Sequence, residues 1–443
     1  MNKHSVTIEK VIKGGYGLGK LSDGRRVMIP RTLPGEVVTF KTIDDKKTYL
    51  LGKLLSVDKK SDSRITPPCR YYKVCGGCDI QHCSYEEQLR IKTDIVINNL
   101  TRQQSEILTE YANTIVLPTL PSPETFHYRQ RIRLWVDEYQ NCGFRKHKSH
   151  EIVPISECAI AGKEINETLA ELNNHQAFQD LLNHSSEVEL LWHPATGKVT
   201  ALLHYTRKPR PTDFKYAAEL CTDIESLERL FFQGEAFPLT VGAPAECSKK
   251  MQIIYEDLTA YPSPLSLSWE VGGFCQVNLQ QNKQLIDLVL QYADIQKDET
   301  VLDLFCGSGN FSIALAAAAK SLTGIEGQGA AIRSAKANAS TAGLTNTTFK
   351  KSPIHKACND LVAAGESFDC LVVDPPRQGM PGLAKQIASL CIKRMVYISC
   401  DPATLSRDIA DLTGTGFSVI QIQPVDMFPQ THHIETVVLL EKN

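Results

Sequence analysis

Three groups of residues have the types and spacing that chemistry requires. In YISCDPATLSRD, Tyr397 to Asp408, an apolar strand-like run ends on Cys400 and meets an acid, a proline and a helix start at once. A packing cysteine belongs inside such a run, as Cys370 does in FDCLVVD, so a thiol at the exit reads as a nucleophile. In VVDPPRQG, Asp374 stands at the end of another apolar run before two prolines, which stiffen the turn but do not explain the acid. The third group is Cys69, Cys75 and Cys78, spaced C-x5-C-G-G-C. Its glycines permit the tight backbone that gathers sulfurs around one centre, of zinc or of iron and sulfur, and a fourth ligand is required.

These residues need elements to position them. From about Leu265 onward, TVLDLFC, SLTGIE, FDCLVVD and RMVYIS each precede a helical pattern, while FSVIQIQPVDMF and IETVVLLEK close the chain as a hairpin. The alternation predicts an α/β fold: a doubly wound parallel sheet with a final antiparallel strand, with Asp374 and Cys400 at its carboxyl edge, where such sheets bind ligands. In VLDLFCGSGNFSIALA a strand passes through Gly307 and Gly309 into a helix, and Glu326 ends the next strand about 20 residues on, placed to accept from ribose hydroxyls. The glycine spacing departs from the dinucleotide pattern and Asp303 lies within the strand. Together they point to S-adenosylmethionine rather than a nicotinamide.

Upstream, residues to about Asp58 alternate short β-type runs with Gly14-Gly15, Asp23-Gly24 and Pro34-Gly35 turns, which predicts an OB-like barrel of about five strands. Residues 1–73 hold 16 Lys/Arg against 7 Asp/Glu, so a +9 module is joined to a −11 body. An anionic partner gripped locally, RNA, follows, with Arg25, Arg26, Arg31, Lys46 and Lys47 as contacts. A capping box at Ser84 and Glu87 opens a long helix with Tyr85, Leu89, Val96 and Leu100 on one face. Beyond it, a hairpin turns near Asp137 to Asn141, and Arg129, Arg131 and Arg133 share a strand face that is either a solvated edge or turned to RNA. The expected domains are 1–60, 61–264 and 265–443. No run approaches the ~18 apolar residues of a membrane span and MNKHSVTIEK lacks a signal-peptide core, so a cytoplasmic protein with no membrane partner is expected. Its 14 cysteines are then ligands, nucleophiles or buried apolar groups rather than disulfides.

CRYYKVCGGCDIQH, FCQVN, DLFCGSGNF, DPPRQG, SCDPATLSRD and HHIETVVLL occur in this order behind the barrel. In this the chain resembles the RNA uracil-5-methyltransferases, in particular the iron–sulfur branch that acts on 23S ribosomal RNA, whose barrel is a TRAM domain. The resemblance implies a Rossmann-like S-adenosylmethionine-dependent methyltransferase domain, the N-terminal TRAM barrel and a central α/β iron–sulfur domain. It makes Cys400 the nucleophile that adds to uracil C6 and Glu435 the general base, with His432 and His433 as adjacent rivals. It gives Gln276, Phe305, Asn310, Glu326 and Asp374 contact with the cofactor or the base. It also implies a [4Fe-4S] cluster on Cys69, Cys75, Cys78 and Cys158, the last in preference to Cys83, and a monomer acting on 23S rRNA, with tRNA as the alternative. Phe144 and Arg145 are expected to touch RNA, and Cys400 to be activated towards thiolate by its setting. One departure is visible: FKKSPIHKA lacks the acid expected after the third strand.

Two other classes fit less of the chain. An amino-group methyltransferase uses an aromatic residue after Asp-Pro-Pro to stack on its base, whereas Arg377 stands here and Cys400 would have no role. A non-catalytic RNA-binding or redox protein leaves the acids at the sheet edge unexplained.

Overall fold

In the computed structural model, which describes residues 3–102, 109, 112, 114–259, 261 and 264–443, the sequence periodicities resolve into one barrel, two seven-stranded sheets and a hairpin. Inward-facing Val6, Ile8, Val27, Ile29, Val38, Phe40 and Leu50 close β1 (Lys3–Ile12), β2 (Tyr16–Lys20), β3 (Arg26–Pro30), β4 (Val37–Asp45) and β5 (Tyr49–Lys59) into a barrel of order β1-β2-β3-β5-β4. This is the predicted five-stranded closed form. Its cations are partly spoken for: Arg25 pairs with Asp23 and Asp45, and Lys46 with Asp44.

The middle sheet comprises β6 (Arg131–Val136), β7 (Cys142–Arg145), β8 (Ile152–Pro154), β9 (Ser185–His193), β10 (Lys198–Tyr205), β11 (Leu227–Gly234) and β12 (Phe237–Ala243), in the order β12-β11-β10-β9-β6-β7-β8. The turn between β6 and β7 falls at Asp137 to Asn141, where Asp137 Oδ1 accepts from the Tyr139 and Asn141 amides. The arginine face of β6 is not an edge. The strand is paired on both sides, Arg131 is bound by Glu189 of β9 and Arg133 by Glu187.

The third sheet holds the predicted doubly wound pattern. Its strands are β15 (Thr300–Leu304), β16 (Ser321–Glu326), β17 (Thr347–Lys351), β18 (Phe368–Val373), β19 (Cys391–Ser399), β20 (Phe417–Val425) and β21 (Glu435–Lys442), after the hairpin of β13 (Lys250–Tyr255) and β14 (Leu265–Glu270). Their order is β17-β16-β15-β18-β19-β21-β20, with β21 antiparallel to both neighbours. The strand order reverses between β15 and β18, so a crevice opens outside their carboxyl ends.

Alternate residues of these strands feed two cores. Leu302, Leu371 and Tyr397 pack with the helix Tyr85–Thr101, while Val301, Val372 and Val396 pack with the β13–β14 hairpin and the helix Leu279–Ala293. Both the first helix and the hairpin therefore pack against the third sheet, and the hairpin joins strands on either side of residue 264. The buried face of Tyr85–Thr101 is Gln88, Ile91, Lys92, Ile95, Val96 and Leu100, which keeps the predicted Val96 and Leu100 but leaves Tyr85 and Leu89 only half-buried. Its two polar members find partners on the third sheet's last loop. Lys92 pairs with Asp426, both with no exposed side-chain surface, and Gln88 with Gln430. Among the described residues no helix is long and apolar enough to cross a membrane.

Candidate active site

Register brings the thiol and the last strand's acid together. In the antiparallel pairing of β19 with β21, Arg394 faces Glu441 and Ser399 faces Thr436, so one further step sets Cys400 opposite Glu435. Directly opposed residues of this kind have Cβ atoms about 5 Å apart. Asp401 caps the helix Pro402–Thr413 through the Ala403 and Thr404 amides, 3.0 and 3.2 Å, with Pro402 in the first turn, so the chain leaves β19 in a fixed direction. The same helix holds the Asp-Pro-Pro-Arg turn. Thr404 Oγ1 donates to the Arg377 carbonyl (3.0 Å), and Asp408 Oδ2 accepts from the Met380 amide and from Tyr397 OH, both 2.7 Å. Lys13, Arg377, Cys400, Asp401, His432 and His433 line a cavity of about 130 Å³.

Burial, then the carboxylates of Glu435 and Asp374, pushes the Cys400 thiol up to about 12, against the opposing guanidinium of Arg377. Burial raises Asp374 to about 7, and burial together with Asp374 raises Glu435 well above the usual carboxylate range. The residues packed around the sulfur are acids, and Arg377 is the cation that opposes them. Burial, His432 and Arg377 depress His433 to about 3, which makes its imidazole a poor proton acceptor beside Glu435.

The crevice between β15 and β18 carries the remaining candidates. Phe305 leaves β15 with φ of 64°, a left-handed conformation that costs a bulky residue energy and marks a constrained turn. Gly307 follows at φ 55° with open space where a side chain would stand, and its amide donates to Glu326 Oε2 (3.3 Å). Asp303 is fully buried, accepts from Ser312 Oγ through Oδ2, and has no partner for Oδ1. Burial raises it to about 7. An open glycine cradle, a partnerless buried acceptor and an acid on the neighbouring strand suit a nucleoside with a polar tail. Asn310 exchanges amide hydrogen bonds with Asn282, 2.9 and 3.0 Å, which fixes its orientation. Gln276 is held through its backbone by Gln130, two residues after Phe274, which is 71% exposed. Ser352 follows β17 where the acid was expected.

The cysteines form a second group. Cys78 lies close enough to Cys158, Cys75 and Cys69 to feel each as a thiolate, and Cys158 likewise feels Cys69. Burial raises the thiols of Cys75, Cys78 and Cys158. Cys83 is elsewhere: its charged neighbours are Glu87, Arg64, Lys92 and Glu36, and its sulfur donates to the Ile80 carbonyl. Phe144, expected at RNA, packs against the middle sheet's core, while the Arg145 guanidinium lies 3.5 Å from the Trp135 ring centroid.

Against known proteins, residues 96–443 match the family model described as tRNA (Uracil-5-)-methyltransferase, and residues 4–55 match the TRAM domain. The chain belongs to the tRNA (uracil-5-)-methyltransferase family. It is 30% identical to the 23S rRNA (uracil(1939)-C(5))-methyltransferase RlmD of Vibrio parahaemolyticus, over 99% of this chain and 96% of that one. It is 32% identical to the protein of the same name from Shewanella frigidimarina, over 100% and 96%. A Pyrococcus abyssi tRNA (uracil-54, C5)-methyltransferase solved with S-adenosyl-L-homocysteine shares the fold, with TM-score 0.73, 23% identity and coverage of 99% and 100%.

In this methyltransferase two residues at the site carry no local sequence signal. Lys13, on the barrel's first turn, forms an ion pair with Asp401 beside Cys400, and Asp79, next to Cys78, binds His432. Their partners lie 388 and 353 residues away. The glycine-rich turn and the metal-type motif mark both segments in the sequence but not these side chains.

Proposed function

We propose that the protein methylates C5 of a uridine in RNA, with S-adenosylmethionine as methyl donor and 23S ribosomal RNA as substrate. The register that sets Cys400 opposite Glu435, at the edge that also carries Asp374 and Arg377, carries this reading. Uracil C5 is a weak nucleophile. Addition of the Cys400 sulfur to C6 moves the C5=C6 electron pair into an enolate, which makes C5 electron-rich. Arg377 is the cation at hand that favours the thiolate needed for this step. S-adenosylmethionine supplies the methyl as an electrophilic sulfonium when bound, and Phe305, Gly307, Glu326, Asn310 and Gln276 would hold it or the base. The Cys400 proton passes to solvent as the thiolate forms, and Glu435 acts in its ionised form: the carboxylate takes the C5 proton, the C5=C6 bond reforms and the sulfur leaves as thiolate. A carboxyl whose proton affinity is raised by burial is suited to that transfer.

On this reading residues 1–60 grip RNA, 61–264 carry the cysteine centre and 265–443 perform methyl transfer, and the protein works as a cytoplasmic monomer. The full-length likeness to proteins named for 23S rRNA favours that substrate over tRNA. Locating 5-methyluridine in RNA from cells with and without the gene separates the two.

Cys69, Cys75, Cys78 and Cys158 would hold a [4Fe-4S] cluster. Cys78 lies near all three of the others, which is the thiolate donor set that such a centre needs. Anaerobically purified protein is expected to be brown and to contain iron and sulfide, losing both in Cys158→Ser but not in Cys83→Ser. A colourless, zinc-loaded sample contradicts this assignment.

The methylation reading is tested with RNA carrying 5-fluorouridine, whose fluorine does not leave as a proton. A covalent protein–RNA complex is expected in the presence of S-adenosylmethionine. Its formation by Cys400→Ala at the wild-type level would remove Cys400 from the nucleophile's role.

A further inference from the structure

The loop that delivers Glu435 is held largely from outside its own sheet. Asp79 and Ile80, directly after Cys78, both donate their amides to the Gln430 carbonyl at 3.1 Å. Gln430 sits at φ of 71°, fixed by a reciprocal pair of hydrogen bonds with Gln88, each 3.0 Å. Lys92 and Tyr128 take the carbonyls of Phe428 and Pro429, both at 3.0 Å. The closing contact is Asp79 Oδ2, which accepts from His432 Nδ1 at 2.6 Å and from the His432 amide at 3.4 Å. His432 stacks on His433 with ring centroids 4.2 Å apart, and both line the cavity that contains Cys400. The barrel closes over this contact: a side chain at Gly15 would meet Asp79 Cβ at 2.6 Å, so no larger residue fits there.

We propose that Asp79 is a positioning residue for methyl transfer. It holds His432 as the Nδ1–H tautomer and thereby holds the Thr431–Glu435 stretch against Cys400, so that the order of the cysteine segment is read out in the active site. The inference rests on the uracil-methylation reading. It gives the centre at Cys78 a route to catalysis without chemistry of its own, because the residue after a ligand is itself the clamp. Loss of order around Cys78 releases Asp79, and His432 is then free to turn and carry its neighbours with it. A purely packing role for the segment predicts instead that Asp79 is replaceable wherever the fold survives.

The test uses the full-length protein with its metal centre, as Asp79→Ala, Asp79→Asn, His432→Ala and the double variant Asp79→Ala/His432→Ala. Nitrogen-15 spectra of histidine-labelled protein, assigned with His432→Ala, report the tautomer without reference to activity. The Nδ1–H form is expected in wild type and in Asp79→Asn, whose amide oxygen still accepts, and its loss in Asp79→Ala. In single-uridine RNA assays, kcat is expected to fall on the order of ten-fold in Asp79→Ala with KM unchanged, to recover in Asp79→Asn, and to fall no further in the double variant. An Asp79→Ala protein with wild-type kcat, an Asn variant as slow as Ala, or additive losses would each overturn the proposal. Should Asp79→Ala lose iron, His432→Ala decides: the same kcat loss with full iron content supports the clamp, and a wild-type kcat refutes it. Trapping by 5-fluorouridine RNA in wild type is scored separately, since failure there removes the methylation reading rather than the clamp.

Discussion

Replacing Glu435 by Gln keeps the shape of the buried side chain and removes its ability to accept a proton. Two consequences follow from the register opposite Cys400. General-base catalysis of this kind contributes about 10²–10⁴ in rate, or roughly 3–5 kcal/mol, and the step it serves comes after methylation. The variant should therefore stop with the methylated base still bonded to sulfur, and ordinary uridine RNA should yield the covalent complex that wild type shows only with the fluorinated base. The second consequence concerns the free protein. Two unit charges about 5 Å apart at an effective dielectric of about 20 repel by roughly 3 kcal/mol. Burial is the larger cause of the raised thiol and persists in the variant. The pH midpoint for alkylation of Cys400 by iodoacetamide should thus fall from about 12 in wild type to roughly 10 in Glu435→Gln. Denaturing electrophoresis and intact mass measure the first effect, and alkylation rates across pH the second. If the variant turns over within ten-fold of wild type, leaves no adduct and alkylates with the wild-type profile, Glu435 is neither the base nor the neighbour of the thiol.

Two further predictions concern buried charge. The carboxyl of Asp303 is raised to about 7 by burial, so its favourable contribution to folding is complete below its unfolded value near 4 and is lost as pH rises through 7. Asp303→Asn, which still accepts from Ser312, should be more stable than wild type at pH 8 by up to about 4 kcal/mol and should lose that advantage towards pH 4, while binding S-adenosylmethionine more weakly. Melting temperatures across this range with the opposite trend would contradict the assigned burial. Lys92 and Asp426 are both without exposed side-chain surface, so Lys92→Met should cost about 3–5 kcal/mol in urea unfolding by stranding the acid. Adding Asp426→Leu should recover most of that loss, and a single-variant cost below 1 kcal/mol would show that the pair does not carry buried charge.

How much of this was legible in the sequence depended on whether a residue's meaning was set by its own segment or by another. The barrel and the doubly wound sheet follow from local periodicity, and Cys400 at a strand exit needed only its own twelve-residue stretch. Its raised proton affinity did not follow, because that depends on burial by the fold and then on Glu435 and Asp374, which reach it from other segments. The arginines of β6 were ambiguous for the same reason. Glu187 and Glu189 repeat at the same two-residue spacing in SSEVELLWH, a signal present in the sequence, but only the pairing of β6 with β9 makes them partners. The stripe of the helix Tyr85–Thr101 holds at Val96 and Leu100 but departs from its periodicity in the first half, where two of the buried positions are Gln88 and Lys92, whose partners belong to the last loop of the chain. The positions that local pattern misplaces or passes over therefore share a direction. Gln88, Lys92, Asp79 and Lys13 all lie in the first quarter of the chain and all bind residues after 400. A uracil held at Cys400 would be met by Lys13 of the barrel and by Arg377, His432 and His433, with the cysteine segment behind His432, and only the folded chain brings these together.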